Sequence, residues 1–280
     1  MFDVDTLIQT ALKEDIGWRD ITTETCVPAD KKITGAFIAK EPMVICGLFL
    51  LPRVFDALDK SVTVTFRCQD GDALPAGTAI AGVSGPARAI LTGERTALNL
   101  LQRLTGIATR TRGAVAAAEG TRAKICDTRK TTPGLRELEK YAVRVGGGTN
   151  HRMGLSDGVL IKDNHIAAAG GITKAVEAAR KRVPHTLKIE VETTTLDEVR
   201  EALDAGADII MLDNMDNPQM AEAVRLIGGR AVTEASGNMG EKSLREAAET
   251  GVDLISVGAL THSVRAADIS LRFTPMPKTL

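Results

Sequence analysis

The stretch TLKIEVETTTLDEVREALDAGADIIMLD, residues 186–213, decides the fold. It runs from a short apolar segment that ends in EVE, through a segment with helical spacing, to a second apolar segment that ends in MLD. An apolar run, a helical pattern and another apolar run are typical of a βαβ unit, in which the two strands are parallel.

The same alternation continues on both sides of this stretch. The further apolar runs are AKICDT (123–128), DGVLIK (157–162), AVTEAS (231–236) and DLISVG (253–258). Six countable strands, plus one that the pattern could hide, indicate an incomplete α/β barrel of parallel strands. The alternative is a doubly wound open sheet, which is disfavoured because the sequence has no G-x-G-x-x-G after its first strand and no Walker loop.

The first third of the chain has a different pattern. Residues 3–15 have helical spacing, residues 33–47 and 61–68 are rich in strand formers, and residues 88–106 turn helical again. A second, alanine-rich helix is predicted to run to about Glu119. We therefore expect an N-terminal α/β domain over residues 1–110, a barrel over residues 111–268, and a final segment, 269–280, that leaves the barrel and packs elsewhere.

Bulk properties exclude several classes of protein. The 280 residues suit one barrel with a smaller domain, and a formal net charge of -1 with 3% aromatic residues does not indicate nucleic-acid or membrane binding. The four cysteines have no metal-finger or redox spacing. The N-terminus lacks a basic stretch followed by an apolar run, so we expect reduced thiols and a cytoplasmic location.

Charged residues close several of the predicted strands. Lys162, Glu190, Glu192 and Asp213 lie inside or at the last position of apolar runs. Burying a charge is costly unless it is paired or bound, and the carboxyl ends of barrel strands meet on the face where catalytic groups are found. These ends therefore predict a functional site.

Strand alternation places Glu190 and Glu192 on the same face of their strand. Two carboxylates so close repel each other unless a cation or a ligand hydroxyl lies beside them, so with Asp213 they predict a Mg²⁺ or ribose-diol site. The alternative is a salt-bridged interior, whose candidate cations are Lys162, Lys188 and Arg129.

Cations and small residues complete the predicted rim. The candidate anion-binding residues are Arg129, Lys130, His151, Arg152 and Lys162, with Arg95 from the first domain. The small residues Ser236, Gly237 and Asn238, and likewise Val257, Gly258 and Ala259, could bind a phosphate or be ordinary turns. The residues alone thus indicate an anion-binding barrel.

Long motifs narrow this interpretation. They are EDIGWRDITT (14–23), LTGERTALNLLQRLTGIAT (91–109), DTRKTTPGLR (127–136), KYAVRVGGGTNHRMGLSDGVLIKDNH (140–165), EVE (190–192), MLDN (211–214), EASGN (234–238) and SVGALTHS (256–263). Together they resemble the quinolinate phosphoribosyltransferase family over nearly the whole chain. A neighbouring family encoded with molybdate transport genes keeps less of the NHR and IKDNH motifs, which are intact here.

The resemblance implies an open-faced N-terminal α/β sandwich followed by an incomplete barrel. It implies transfer of phosphoribose from phosphoribosyl pyrophosphate to quinolinate with decarboxylation, giving nicotinic acid mononucleotide for de novo NAD synthesis. It also implies Mg²⁺ and a homodimer with shared active sites, with a hexamer left open.

Site residues carry over from the family position by position. Those implied to hold quinolinate are Arg129, His151, Arg152 and Lys162, with Arg95 supplied by the partner subunit. Lys130 matches a lysine near the sugar pyrophosphate, and Glu192 and Asp213 match carboxylates at the ribose hydroxyls and the metal. Substrate contacts are also expected from Thr128 and from the loops 236–238 and 257–259.

Rival functions remain open from the residues. A Schiff-base aldolase would use Lys162 or Lys130, a salvage transferase would accept nicotinate, and a sensor would bind ligand without turnover. The number of cations and the complete set of charged strand ends favour the transferase of a dianionic acid.

Overall fold

The computed structural model describes residues 4–240 and 243–273, which form two compact units. Of the described residues, those up to Arg110, those from Glu137 to Gly146 and those from Val264 on form the first unit. The others, Thr111–Arg136 and Gly147–Ser263, form the barrel unit. This grouping differs from the sequence-based domains in two places, because residues 137–146 and the end of the predicted barrel segment group with the first unit.

The first unit is built on antiparallel strands and helices. Its elements are α1 (Val4–Ile16), α2 (Ile21–Cys26), β1 (Lys32–Ala39), β2 (Met43–Val44), α3 (Leu50–Asp56), β3 (Thr63–Phe66), β4 (Ala73–Leu74), β5 (Ala79–Pro86) and the larger part of α4 (Ala87–Ala117). The main sheet has the strand order β12-β1-β5-β3, in which β12 is Ile269–Phe273, and β2 pairs with β4. Nearly all of α5 (Arg136–Val145) also belongs to this unit.

The first unit confirms the predicted N-terminal helix and corrects the prediction of two helices after residue 88. One helix, α4, runs through Gly106 without a break. A Cβ at position 106 would collide with the backbone carbonyl of Arg265, so this glycine allows a close approach between segments rather than ending a helix.

The chain returns to the first unit at its end. Strand β12 pairs antiparallel with β1, from Ala39 opposite Ile269 to Gly35 opposite Phe273. The segment that the sequence analysis separates from the barrel therefore begins with a strand of the first unit's sheet. The remainder of that segment, from residue 274 on, lies outside the described residues.

The barrel unit alternates strands with helices. Its elements are β6 (Lys124–Cys126), β7 (Val159–Ile161), α6 (Asp163–Ala169), α7 (Ile172–Arg180), β8 (Ile189–Thr193), α8 (Leu196–Asp204), β9 (Ile209–Asp213), α9 (Asn217–Ile227), β10 (Val232–Ser236), α10 (Leu244–Glu249), β11 (Leu254–Ser256) and α11 (Ala259–His262). Helix α5 (Arg136–Val145) follows β6 in the chain. All strand pairs are parallel.

The strand order is β6-β11-β10-β9-β8-β7. From β7 to β11 each strand lies beside the next strand in the chain, without the reversal that defines a doubly wound sheet. The edge strands β6 and β7 do not pair within the described residues, and Thr149 instead forms an isolated parallel bridge with Cys126. The predicted incomplete parallel barrel is confirmed. The sequence pattern allowed for a seventh strand, and the described residues have only this bridge in its place.

Side-chain caps and buried strands explain why these segments form. Helices α8 and α9 begin with capping boxes, Thr195 with Glu198 and Asp216 with Gln219. Ile189 and Val191 of β8 are fully buried. Every helix within the described residues is too short or too polar to cross a membrane.

Candidate active site

The carboxyl ends of neighbouring strands gather several of the residues predicted from the sequence. Lys162 follows β7, Glu192 lies in β8, and Asp213 ends β9, directly opposite Ser236 at the end of β10. The Lys162 ammonium forms an ion pair with the Glu192 carboxylate. One ion pair of the salt-bridged alternative is therefore present, and its carboxylate is Glu192 rather than Glu190.

Glu192 and Asp213 have the donor chemistry that Mg²⁺ prefers. Glu192 uses Oε2 for Lys162, and Asp213 uses Oδ2 to accept from the Asn214 side-chain amide at 2.7 Å. The second oxygen of each carboxylate accepts no hydrogen bond from residues 4–240 or 243–273. These two residues fit a metal that shares its ligands with a substrate.

The loop after β10 packs directly against the loop after β9. Asn214 and Asn238 have positive φ angles of 57° and 54°, a conformation that asparagine tolerates better than most residues. The Asn214 amide donates to the Ser236 carbonyl at 3.1 Å, and a Cβ at Gly237 would collide with Asn214. Residues 236–238 are therefore held in one conformation beside Asp213.

The loop after β6 is fixed by Asp127, which is fully buried. Its carboxylate accepts hydrogen bonds from the His151 amide, at 2.9 Å, and from the Asn150 side chain. Arg136 donates to the Thr131 hydroxyl at 2.9 Å. Asp127 thus joins the DTRK loop to the segment that carries Asn150, His151 and Arg152.

Lys130 and the loop after β11 lie together. The Thr261 hydroxyl donates to the Lys130 carbonyl at 2.7 Å, and a Cβ at Gly258 would lie 3.0 Å from the Lys130 side chain. The Lys130 amide donates to the Thr128 hydroxyl at 3.0 Å.

One expectation about this loop is wrong. The Val257 amide donates to the Cys126 carbonyl at 2.9 Å, so it is not available to a phosphate. The amides of Gly258 and Ala259 donate to no acceptor within the described part of the chain. Any backbone contact with an anion here falls to these two residues.

Arg129 and Arg152 are close enough for each charge to affect the other. Burial, and then the Arg129 charge, lower the pKa of Arg152. The Nε atoms of both residues are buried and have no hydrogen-bond partner among the described residues. Two neighbouring guanidinium groups with such buried donors have the chemistry of an anion-binding site.

A buried carboxylate pair flanks His151. Its Nε2 lies 3.1 Å from Glu190 Oε2 and 3.6 Å from Glu234 Oε1, and its Nδ1 accepts from the Arg152 amide at 2.7 Å. Burial, and then the Glu190 charge, raise the pKa of Glu234 to about 7. Glu234 Oε1 is buried and accepts no hydrogen bond from residues 4–240 or 243–273.

Glu234, Asp127 and Arg136 were not among the predicted site residues. Glu234 carries a signal that could have found it, because it lies two residues before Ser236 on its strand, as Glu190 lies two residues before Glu192. The Asp127 contacts join segments that are distant in sequence, and no local pattern indicates them.

Arg95 lies in the first unit, on α4. Its side chain is exposed, and no carboxylate of the described residues forms an ion pair with it. Its predicted contribution to a neighbouring subunit stays a prediction.

A cavity of about 430 Å³ lies in the barrel unit. Arg152, His151, Glu190 and Glu234 line it, together with the first residues of strands β7, β9 and β11. The His151 cluster therefore lies between the strand ends and the interior of the barrel.

Comparison with known families gives two matches that together span most of the chain. The family model described as "Quinolinate phosphoribosyl transferase, N-terminal domain" matches residues 20–105. The model described as "Quinolinate phosphoribosyl transferase, C-terminal domain" matches residues 107–272.

Individual proteins are similar over most of their length. A Bacillus subtilis protein named probable nicotinate-nucleotide pyrophosphorylase (carboxylating) is 48% identical over 261 residues, which cover 93% of this chain and 90% of the relative. A Synechocystis protein of the same name is 48% identical over 96% of this chain and 92% of its own. The solved structure of the nicotinate-nucleotide pyrophosphorylase from Francisella tularensis superposes with a TM-score of 0.93 at 44% identity, covering 97% of this chain and 96% of that one.

Proposed function

The chain belongs to the quinolinate phosphoribosyltransferase family, and on that premise we propose that it transfers phosphoribose from phosphoribosyl pyrophosphate to quinolinate. Pyrophosphate and carbon dioxide leave, and the product is nicotinic acid mononucleotide for de novo NAD synthesis. The similar proteins are named as carboxylating pyrophosphorylases, and this name describes the same reaction in the reverse direction. Their names therefore support the proposed reaction.

The pair Arg129 and Arg152 carries the proposal. Quinolinate is a small dianion, and two adjacent guanidinium groups with unsatisfied Nε donors suit its two carboxylates. Lys162 adds a third cation after β7, and His151 lines the same cavity as Arg152. An acceptor with one carboxylate would leave part of this charge unpaired.

The remaining strand ends suit the sugar pyrophosphate. Glu192 and Asp213 are positioned to bind the ribose hydroxyls and to stabilise positive charge at the anomeric carbon as the bond to pyrophosphate breaks. Lys130 neutralises the leaving group. When bound, Mg²⁺ would be shared between these carboxylates and the substrate, where it would neutralise charge on the pyrophosphate.

Fixing the acceptor turns its ring nitrogen toward the anomeric carbon, so that a C–N bond forms as the C–O bond breaks. The ring is then positively charged and accepts the electron pair of the bond to the adjacent carboxylate. Carbon dioxide leaves, and a proton from water takes its place on the ring. This step requires no organic cofactor.

We further propose a homodimer, or a hexamer built from dimers, in which Arg95 reaches the partner's site. Arg95 is exposed and lacks an ion pair among the described residues. Large apolar side chains beside the site motifs are also exposed, namely Trp18, Ile21, Met153 and Leu155. Four free cysteines support the reducing cytoplasm as its location.

One assay tests the proposed function. The protein is incubated with phosphoribosyl pyrophosphate, Mg²⁺ and either quinolinate, nicotinate or nicotinamide, and release of carbon dioxide and pyrophosphate is measured. Turnover of quinolinate alone, with one carbon dioxide for each pyrophosphate, is the expected result. Turnover of nicotinate without carbon dioxide would replace this proposal with a salvage transferase.

A borohydride trapping experiment addresses the aldolase. The Lys162 nitrogen is held in an ion pair with Glu192, whereas a Schiff base requires this nitrogen to attack a carbonyl. We therefore expect no trapped adduct with carbonyl substrates.

A further inference from the structure

The His151 ring connects the interior of the barrel to the backbone of Arg152. On one side, its Nε2 lies 3.1 Å from Glu190 Oε2. On the other side, its Nδ1 accepts a hydrogen bond from the Arg152 amide at 2.7 Å. The imidazole therefore bridges a buried carboxylate and the peptide group that carries a predicted quinolinate-binding arginine.

The Arg152 amide determines which nitrogen of the ring carries the proton. An amide N–H can only donate, so Nδ1 must present its lone pair, and the proton of the neutral ring lies on Nε2. The Nε2–H group then donates to Glu190 Oε1, with an N···O distance of 3.4 Å. In this arrangement neither ring nitrogen has a hydrogen bond left for a substrate carboxylate.

The same geometry argues against a metal at this cluster. His151, Glu190 and Glu234 each offer one ligand atom within 4.8 Å of the others, which is a spacing that a cation could bridge. A metal would need the lone pair of Nε2, while metal-bound histidines normally donate their other N–H to an acceptor. Here the other nitrogen is an acceptor itself, so binding a metal would require a ring without a proton.

We propose that Glu190 and Glu234 are positioning residues for the acceptor site, and that they fix Arg152 through the His151 ring. Glu190 holds the ring by its Nε2–H, and Glu234 approaches the same atom from β10 at 3.6 Å. The ring in turn holds the Arg152 amide, whose guanidinium also donates to the Gly158 carbonyl at 3.0 Å. Two contacts, one from the backbone and one from the side chain, thus fix Arg152.

This inference rests on the proposed function for its kinetic effect but not for its geometry. The first test is therefore independent of any substrate. The chain has four histidines, so ¹⁵N NMR of the labelled protein can resolve their rings, and His151→Gln identifies the signals of His151. We expect a proton on Nε2 and a bare Nδ1. A ring protonated on Nδ1, or one that exchanges between the two tautomers, would overturn the proposal.

The second test separates positioning from general structural support. Glu190→Gln keeps the size of the side chain but removes its charge, so the KM for quinolinate should rise about tenfold. The KM for phosphoribosyl pyrophosphate should stay within about twofold, since the sugar site does not depend on the ring. Glu222→Gln, on an exposed position of α9, is the matched control and should change neither constant.

A double-mutant cycle identifies the route. If Glu190 acts through the ring, Glu190→Gln should have no further effect on the KM for quinolinate in the His151→Gln background. Effects that multiply would show that the two residues act separately, and an equal rise in both KM values would show a structural role only. If the variants do not fold, the NMR measurement on the unchanged protein still decides.

The failure of the proposed function would look different. The unchanged protein would then not turn over quinolinate at all, while the His151 tautomer could still be as expected. The reverse outcome, turnover with the wrong tautomer, would reject only the positioning inference.

Discussion

One buried carboxylate of the first unit and one of the barrel unit differ in how fully they are hydrogen-bonded. In the first unit, Glu139 is fully buried and accepts from Arg103 Nε at 2.8 Å and Nη2 at 2.7 Å. In the barrel unit, Glu234 is as deeply buried, but its Oε1 accepts no hydrogen bond from the described residues. The Nε atoms of Arg129 and Arg152 are likewise buried without a hydrogen-bond partner in the part of the chain that the structure describes.

This difference distinguishes a charge pair that stabilises the fold from charged groups that bind a ligand. A buried charge without a hydrogen bond costs free energy, and folding alone gives no reason to keep it. The Arg103–Glu139 pair is complete in itself and therefore supports the fold of the first unit. The incomplete set in the barrel is explained if a ligand supplies the missing partners. Substitutions of the same chemical kind in both units should consequently have different effects.

The largest effect is expected for Arg103→Met. This change leaves the Glu139 carboxylate buried without its cation, and breaking such a pair typically costs about 3–5 kcal/mol of stability. Urea unfolding of the full chain measures the loss. The KM for quinolinate of the protein that remains folded should not change. A loss below about 1 kcal/mol would place this pair with ordinary surface ion pairs.

The matched change in the barrel is Arg152→Met. It removes a cation that is already opposed by Arg129 and by burial, so the stability should stay within about 1 kcal/mol of the original. Catalysis should suffer instead, with kcat/KM for quinolinate reduced about 100-fold because a charged hydrogen-bond donor is lost. The KM for phosphoribosyl pyrophosphate should be nearly unchanged. A loss of stability in Arg152→Met as large as that in Arg103→Met would show that the two charged sites do not differ in this way.

The parts predictable from sequence were those with local periodicity. The βαβ alternation gave all strands from β6 to β11, and the two-residue repeat of β8 placed Glu190 and Glu192 on one face. The strand ends at Lys162 and Asp213 were found for the same reason. The motifs shared with the family supplied the substrate-binding and catalytic roles of these residues, which periodicity could not predict.

The parts that were missed depend on long-range packing. Gly106 suggested a helix end, but the backbone near residue 265 requires a close approach there and the helix continues. The Val257 amide appeared available for a phosphate, but parallel pairing with β6 uses it. Both outcomes are set by segments more than a hundred residues away, which no local pattern contains.

A pH titration tests whether burial and the neighbouring Glu190 charge raise the pKa of Glu234. Its folded-state pKa is raised from 4.5 to about 7, so its contribution to stability is full below pH 4.5 and is lost as the pH rises through about 7. Each pKa unit corresponds to about 1.4 kcal/mol of stability, and the pKa shift is shared between Glu234 and its coupled neighbour. We therefore expect the free energy of unfolding to fall by about 2 kcal/mol.

Glu234→Gln should remove this fall. Urea unfolding at pH 5 and at pH 8 should show a smaller loss of stability in the variant than in the original protein. The difference between the two proteins isolates this carboxyl from all other titrating groups. Parallel curves for the two proteins would show that Glu234 does not bind a proton in this range.

The smallest effect is expected for Gly258→Ala, in the loop after β11. The new Cβ would lie 3.0 Å from the Lys130 side chain, so this lysine must shift, and the KM for phosphoribosyl pyrophosphate should rise about fivefold with the KM for quinolinate unchanged. Gly258 has a φ of -61°, so the backbone itself accepts alanine without strain. Gly113→Ala, in α4 with open space around it, is the control and should add up to about 1 kcal/mol of stability without changing either KM. An equal kinetic response from both variants would show that the contact between Gly258 and Lys130 does not position the lysine.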